Sequence, residues 1–106
     1  MEFMGAEITR TEHRYFVYIK SGRRMCYTTS RFFGNAGNLD FWAIESTGYK
    51  ERRNAIKRAK AEMEREERRG QEIGIADVKL EYTKNEKGCE RPYRYVCKHI
   101  EIYTEE

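Results

Sequence analysis

Arg14-Tyr15-Phe16-Val17-Tyr18-Ile19-Lys20, then Ser21-Gly22, then Arg24-Met25-Cys26-Tyr27-Thr28-Thr29-Ser30, is the stretch on which the fold turns. Its two flanking runs are dense in β-branched and aromatic residues, which fit a pleated, half-buried surface. Ser21-Gly22 supplies a two-residue turn, so the stretch reads as a β-hairpin. With that turn, Tyr18 faces Met25 and Phe16 faces Tyr27 on one side. On the other side Val17 faces Cys26, Ile19 faces Arg24 and Tyr15 faces Thr28. Both sides are largely apolar, and one helix covers only one face of a sheet. The face of Phe16, Tyr18, Met25 and Tyr27 is therefore left open as a contact surface, closed over by the loop Phe32–Leu39, or itself the core with the other face as the surface.

Outward from the hairpin, Met1 to Gly5 form a loose start and the chain turns extended from Ile8. Gly34-Asn35-Ala36-Gly37-Asn38 reads as loop, because Gly and Asn tolerate positive φ. Phe41–Glu45 reads as a third strand. Beyond the Gln71–Gly74 linker, Ala76, Val78, Leu80 and Tyr82 alternate with Asp77, Lys79 and Glu81, the pattern of a half-buried strand. Lys84–Cys89 is a charged turn, and Tyr93–Tyr103 a last long strand with Pro92 at its entrance. The expected architecture is α+β in the order βββ-α-ββ: an antiparallel sheet of four to five strands carrying one long charged helix.

That helix is expected over Thr47–Arg69, capped by Ser46 or Thr47 and ended by Gly70. Ala55, Ile56, Ala59 and Met63 make a narrow apolar arc with Tyr49 at its edge. The predicted core joins Val17, Ile19, Trp42 or Ile44, Ile56, Ala59, Met63, Val78 and Leu80. Arg58–Glu62, Lys60–Glu64 and Glu64–Arg68 are spaced to pair along the helix surface. The charge order opposes the helix dipole, since Lys50, Arg52 and Arg53 crowd the positive end and Glu62, Glu64, Glu66 and Glu67 follow later. Lys50, Arg53, Lys57 and Lys60 recur at i, i+3, i+7 and i+10, a single stripe of roughly 15 Å at 1.5 Å per residue.

The chain has 106 residues, 39% apolar and 37% charged, with 13% aromatic content and a net charge of +3. Those totals describe one compact domain, residues 1–106, whose aromatic content is foreign to disordered chains. No apolar run reaches the length of a membrane span or a signal-peptide core, so no membrane partner is expected and the reading is cytoplasmic. Three cysteines without regular spacing fit a reducing compartment better than a disulfide framework. A charge of +3 permits an acidic partner without demanding one.

Catalytic signatures are absent. Cys97 and His99, two apart on one strand, would share a face, but a metal would need further ligands, and Cys26, Cys89 and His13 stand at no recognised spacing. The glycine-rich loop lacks the lysine and the strand-to-helix setting of a phosphate loop. No metal, cofactor or enzymatic activity is expected. The expectation is a small protein-interaction module, an accessory or inhibitor protein in the style of a phage or mobile element, docking on a larger protein such as one that handles nucleic acid. Phe16, Tyr18, Tyr27, Tyr93 and Tyr95 are its candidate anchors, since Tyr and Arg dominate interface energetics. The alternative is nucleic-acid binding through the stripe Lys50, Arg53, Lys57 and Lys60 together with the aromatic strands.

Overall fold

The computed structural model describes residues 7–66 and 69–102, without the side chains of Ala36, Lys98 and His99. The expected loose start at Met1–Gly5 and the expected strand end at Tyr103 lie outside the described residues. The fold is α+β, with an antiparallel five-stranded sheet in the order β3-β2-β1-β4-β5. The strands are β1 Arg10–Ser21, β2 Arg24–Thr28, β3 Phe33–Asn35, β4 Glu72–Lys84 and β5 Glu90–Ile102; between β3 and β4 lie helices α1 Phe41–Thr47 and α2 Arg52–Met63. Three strands of twelve or thirteen residues make the molecule long, 52 × 25 × 23 Å, so neither helix can cover the sheet alone.

The β1–β2 hairpin forms, but its register differs from expectation. Gly22 and Arg23 are the turn, Gly22 at φ +62°, so Tyr18 pairs with Tyr27 and Ile19 with Cys26. Positive φ at the first loop residue alone suits a II′ turn, which only glycine takes cheaply there. The shift moves the partner of each β1 residue by two, so the facing sets are unchanged.

Phe41–Glu45 is helical rather than a third strand. The Asp40 carboxylate accepts a hydrogen bond from the Ala43 amide at 2.9 Å, capping α1 and committing the following residues to helix. The third strand is instead Phe33–Asn35, inside the segment expected as loop, where the main chain pairs with Cys26–Thr28. Ser46 and Thr47 do not cap a long helix. Their hydroxyls donate back to the Ala43 carbonyl within α1. At Gly48 the chain leaves the helix and passes so close to β1 that a Cβ would stand 2.7 Å from Arg14 Cβ and 2.9 Å from Phe16 Cε1. Tyr49 then bridges to Tyr15 by two main-chain hydrogen bonds, and α2 starts afresh at Arg52 behind Glu51. Its last turn tightens, with the Arg65 amide bonded to the Glu62 carbonyl, so the helix ends at Met63 well before Gly70. The Gln71–Gly74 linker is largely the start of β4.

The predicted single core is two cores on opposite faces of the same strands. On one face Phe16, Tyr18, Tyr27, Ala76, Val78, Leu80 and Tyr82 pack under Leu39 and Ile44. On the other, Val17, Ile19, Ile73 and Ile75 pack under Ala55 and Ala59, with Ile56 and Met63 at the margin. Val78 and Leu80 therefore belong with Ile44 and not with α2, and Trp42 is 59% exposed. Two register shifts in the β4–β5 pairing insert Tyr93 and Lys98 as extra residues of β5.

Candidate interaction surfaces

The expected aromatic anchors divide by burial. Phe16, Tyr18 and Tyr27 are at most 7% exposed, because Phe32, Leu39 and α1 close over them. They are core and cannot meet a partner. The Phe16 and Tyr27 rings stack with centroids 5.2 Å apart, and Tyr27 reaches across the sheet until its hydroxyl lies 3.7 Å from Cys97 Sγ. Burial, followed by the Cys97 thiol, raises the Tyr27 pKa far above the usual phenol range.

Tyr93 and Tyr95 remain at the surface, 43% and 44% exposed. They lie on β5, an edge strand, with Val96 exposed beside them. The Tyr95 hydroxyl donates to the Leu39 carbonyl at 3.1 Å, which ties β5 to the segment entering α1. In α1, Phe41 turns edge-on to Tyr82 and to Trp42, and Trp42 projects outward. Tyr95, opposite Leu80, thus lies on the sheet face that α1 covers, on the same side as Trp42, whereas Val96, opposite Lys79, and Arg94, opposite Glu81, project from the other face of the same edge strand. The Arg94 guanidinium lies 5.5 Å from the Tyr93 ring centroid, and its Nε is 2.5 Å from the Glu81 carboxylate. Arg94 and then Lys79 hold the Glu81 carboxyl below its ordinary range. As part of a strand Trp42 would be a core candidate; the helix that Asp40 caps at Ala43 leaves it exposed instead, and Asp40, three positions before Ala43, is the sequence signal for that helix.

The basic stripe is exposed along its length, with Arg53, Lys57 and Lys60 on α2 and Lys50 just before it. Arg53 pairs with Glu51 at 2.6 Å, whereas Lys50, Lys57 and Lys60 have no carboxylate partner among the described residues. Of the expected surface pairs, Arg58–Glu62 forms at 3.1 Å, but Glu62 is 1% exposed and Arg65 also approaches it, so the group is a buried tie. Arg68 lies outside the described residues. Arg52, which is not part of the stripe, meets the Glu101 carboxylate of β5.

A third polar group occupies the end of the sheet beneath α1. Arg10 lies over the Tyr82 ring at 3.8 Å and makes two 2.8 Å hydrogen bonds to Glu90. Arg10 also meets Glu12, which accepts from Arg14 at 2.8 Å, and the Tyr82 hydroxyl donates to Glu45. Arg10 lowers the Glu90 pKa, while burial and then Glu45 raise that of Tyr82. With every carboxylate engaged by a fixed donor, this cluster binds α1 to the sheet.

The main-chain register from Cys97 to His99 is not the regular one that the alternation read from the sequence assumes. The extra residue Lys98 pairs Cys97 with Val78 and His99 with Asp77, which are consecutive on β4. No group of three metal-ligating side chains occurs among the described residues. No helix among them is long and apolar enough to cross a membrane. No family model, curated protein or solved structure matches the chain.

Proposed function

We propose that this chain works by occupying a surface of another protein, not by turnover, and that it docks through the α1–β5 margin. The carrying observation is that exposed Trp42 and Tyr95 lie on the α1 side of edge strand β5, where the Tyr95 hydroxyl is tied to the segment entering α1, with Tyr93 and Val96 exposed along the same strand. Trp, Tyr and Arg are the residue types that anchor interfaces, and singly scattered apolar residues would carry no such weight. Of the anchors read from the sequence, Tyr93 and Tyr95 remain, and Trp42 joins them.

A second reading, nucleic-acid binding by α2, is favoured by Lys50, Lys57 and Lys60, which have no carboxylate partner among the described residues. Four phosphate contacts predict a slope of log affinity on log salt of about −3 to −4. One experiment separates the two readings. A photoreactive aromatic residue is placed at Trp42, Tyr95 or Lys57, and adducts formed in an extract of the native host are identified. The docking reading expects one saturable protein adduct from Trp42 and Tyr95, competed by the unmodified chain but not by a Trp42→Ala, Tyr95→Ala variant. Adducts to nucleic acid from Lys57 alone would transfer the function to the stripe, and adducts from neither would overturn both.

A further inference from the structure

A cleft of about 290 Å³ opens where the β2–β3 turn meets the connection between the two helices, lined by Ser30, Arg31, Glu45, Ser46, Thr47, Gly48, Tyr49 and Lys50. Two cations line it, Arg31 and Lys50, and neither has a carboxylate partner among the described residues. Glu45 also lines the cleft, its carboxylate held by the Tyr82 hydroxyl, and Glu51 is paired with Arg53.

Arg31 is held in place, its Nη1 donating to the Ser46 carbonyl at 3.3 Å and its amide to Thr29 Oγ1 at 3.1 Å. The rest of its planar fork of donors stays available. The opposite wall is fixed by the paired main-chain bonds of Tyr49 with Tyr15 and by the close passage of Gly48 over Phe16. Ser46 and Thr47 spend their hydroxyl protons on the Ala43 carbonyl, at 3.4 and 2.6 Å, while Arg31, Lys50 and the Ser30 hydroxyl are donors among the lining residues.

We infer that this cleft is a binding site for a phosphomonoester, either the phosphate of a free nucleotide-sized metabolite or the phosphorylated 5′ end of a nucleic-acid strand. Two unpaired cations, one of them a pre-positioned arginine, match a dianion with three acceptor oxygens. The site lies at the head of the α2 stripe, yet it rests on its own geometry and holds whether or not α2 meets nucleic acid.

The test is amide-detected NMR titration at constant ionic strength with inorganic phosphate, a nucleoside 5′-monophosphate, and single-stranded oligonucleotides with a 5′-phosphate or a 5′-hydroxyl. Saturable shifts are expected at Ser30, Arg31 and Thr47–Lys50, with phosphate Kd about millimolar. Lys50→Gln, at an exposed position, should weaken binding about tenfold or more, and Arg31→Gln likewise, as for loss of a charge-assisted hydrogen bond. Lys57→Gln should leave phosphate binding unchanged. Affinity should rise as pH passes about 6, where the second phosphate proton leaves. A free metabolite is the source if the monophosphate binds as tightly as the 5′-phosphorylated strand, and a strand end is the source if the strand binds more tightly. Absence of shifts at about 20 mM phosphate, equal affinity for 5′-phosphate and 5′-hydroxyl strands, or binding that survives both substitutions would overturn the inference.

Discussion

Arg14 of β1 and Glu45 of α1 are joined by a 2.9 Å hydrogen bond from the buried guanidinium Nε to the Glu45 main-chain carbonyl, so a strand residue closes the last turn of a helix. The last carbonyls of a helix lack partners within it, and a cation is the favoured donor there. Arg31 repeats the device from the other side on the Ser46 carbonyl. Neither α1, of seven residues, nor its placement could be sustained by helix propensity alone.

Replacing Arg14 by Met should therefore loosen α1 at its C-terminal end. The Glu45 carbonyl loses its donor and Glu12 loses one of its two arginines. A loss of about 2–4 kcal/mol is expected in denaturant unfolding, with faster amide exchange at Ile44 and Gly48 as the local signature.

Tyr27 and Tyr93 should respond in opposite ways to truncation. Tyr27→Ala removes a ring stacked on Phe16 inside the core and should cost about 3–5 kcal/mol. Tyr93→Ala, on an exposed bulge of β5, should stay within about 0.5 kcal/mol while weakening partner capture. Equal effects on thermal stability would contradict the assignment of faces.

Gly74 admits no side chain. A Cβ there would stand 2.4 Å from the Glu101 carbonyl oxygen, a main-chain atom that moves only if β4 and β5 part. Gly74→Ala should destabilise by about 1–3 kcal/mol, with the loss of amide protection concentrated at Ile100–Ile102.

Stability should fall at both ends of the pH scale. Glu81 and Glu90 have folded-state pKa values below the ordinary 4.5, set mainly by Arg94 and by Arg10. Their contribution is whole above about pH 4.5 and is lost as pH drops through the lowered values. Tyr82, like Tyr27, is raised above the ordinary 10.0, chiefly by burial. Unfolded phenols then ionise first, so stability declines as pH rises beyond 10. Melting temperatures across the pH range, with tyrosinate absorbance at the alkaline end, check both limbs; Arg94→Gln should flatten the acid one.

The sequence shows the parts whose evidence lies within one segment. Alternation at Ala76–Tyr82 marks a strand with all four apolar residues on one face, and Ala55 and Ala59 mark the buried side of α2. Features that depend on two segments at once are hidden. Phe33–Asn35 is a strand only because Cys26–Thr28 accepts it, and the extra residues in β5 exist only relative to β4. Trp42 and Ile44 carry strand propensity, which the Asp40 cap overrides. Of the candidate surfaces, the α2 stripe was legible from spacing, because exposed periodic charge needs no tertiary information. The split of the tyrosines into core and surface was not, since it depends on where Leu39 and α1 fold back.

The interruptions of β5 at Tyr93 and Lys98 bear on how the protein behaves when concentrated. They leave main-chain runs of only four residues, Arg94–Cys97 and His99–Ile102, in regular register along the open side of the sheet. Fibril-forming segments stack over six or seven uninterrupted residues. A strand that carries Tyr95, Val96 and Ile102 in the open is thereby kept from serving as a seed for its own copies.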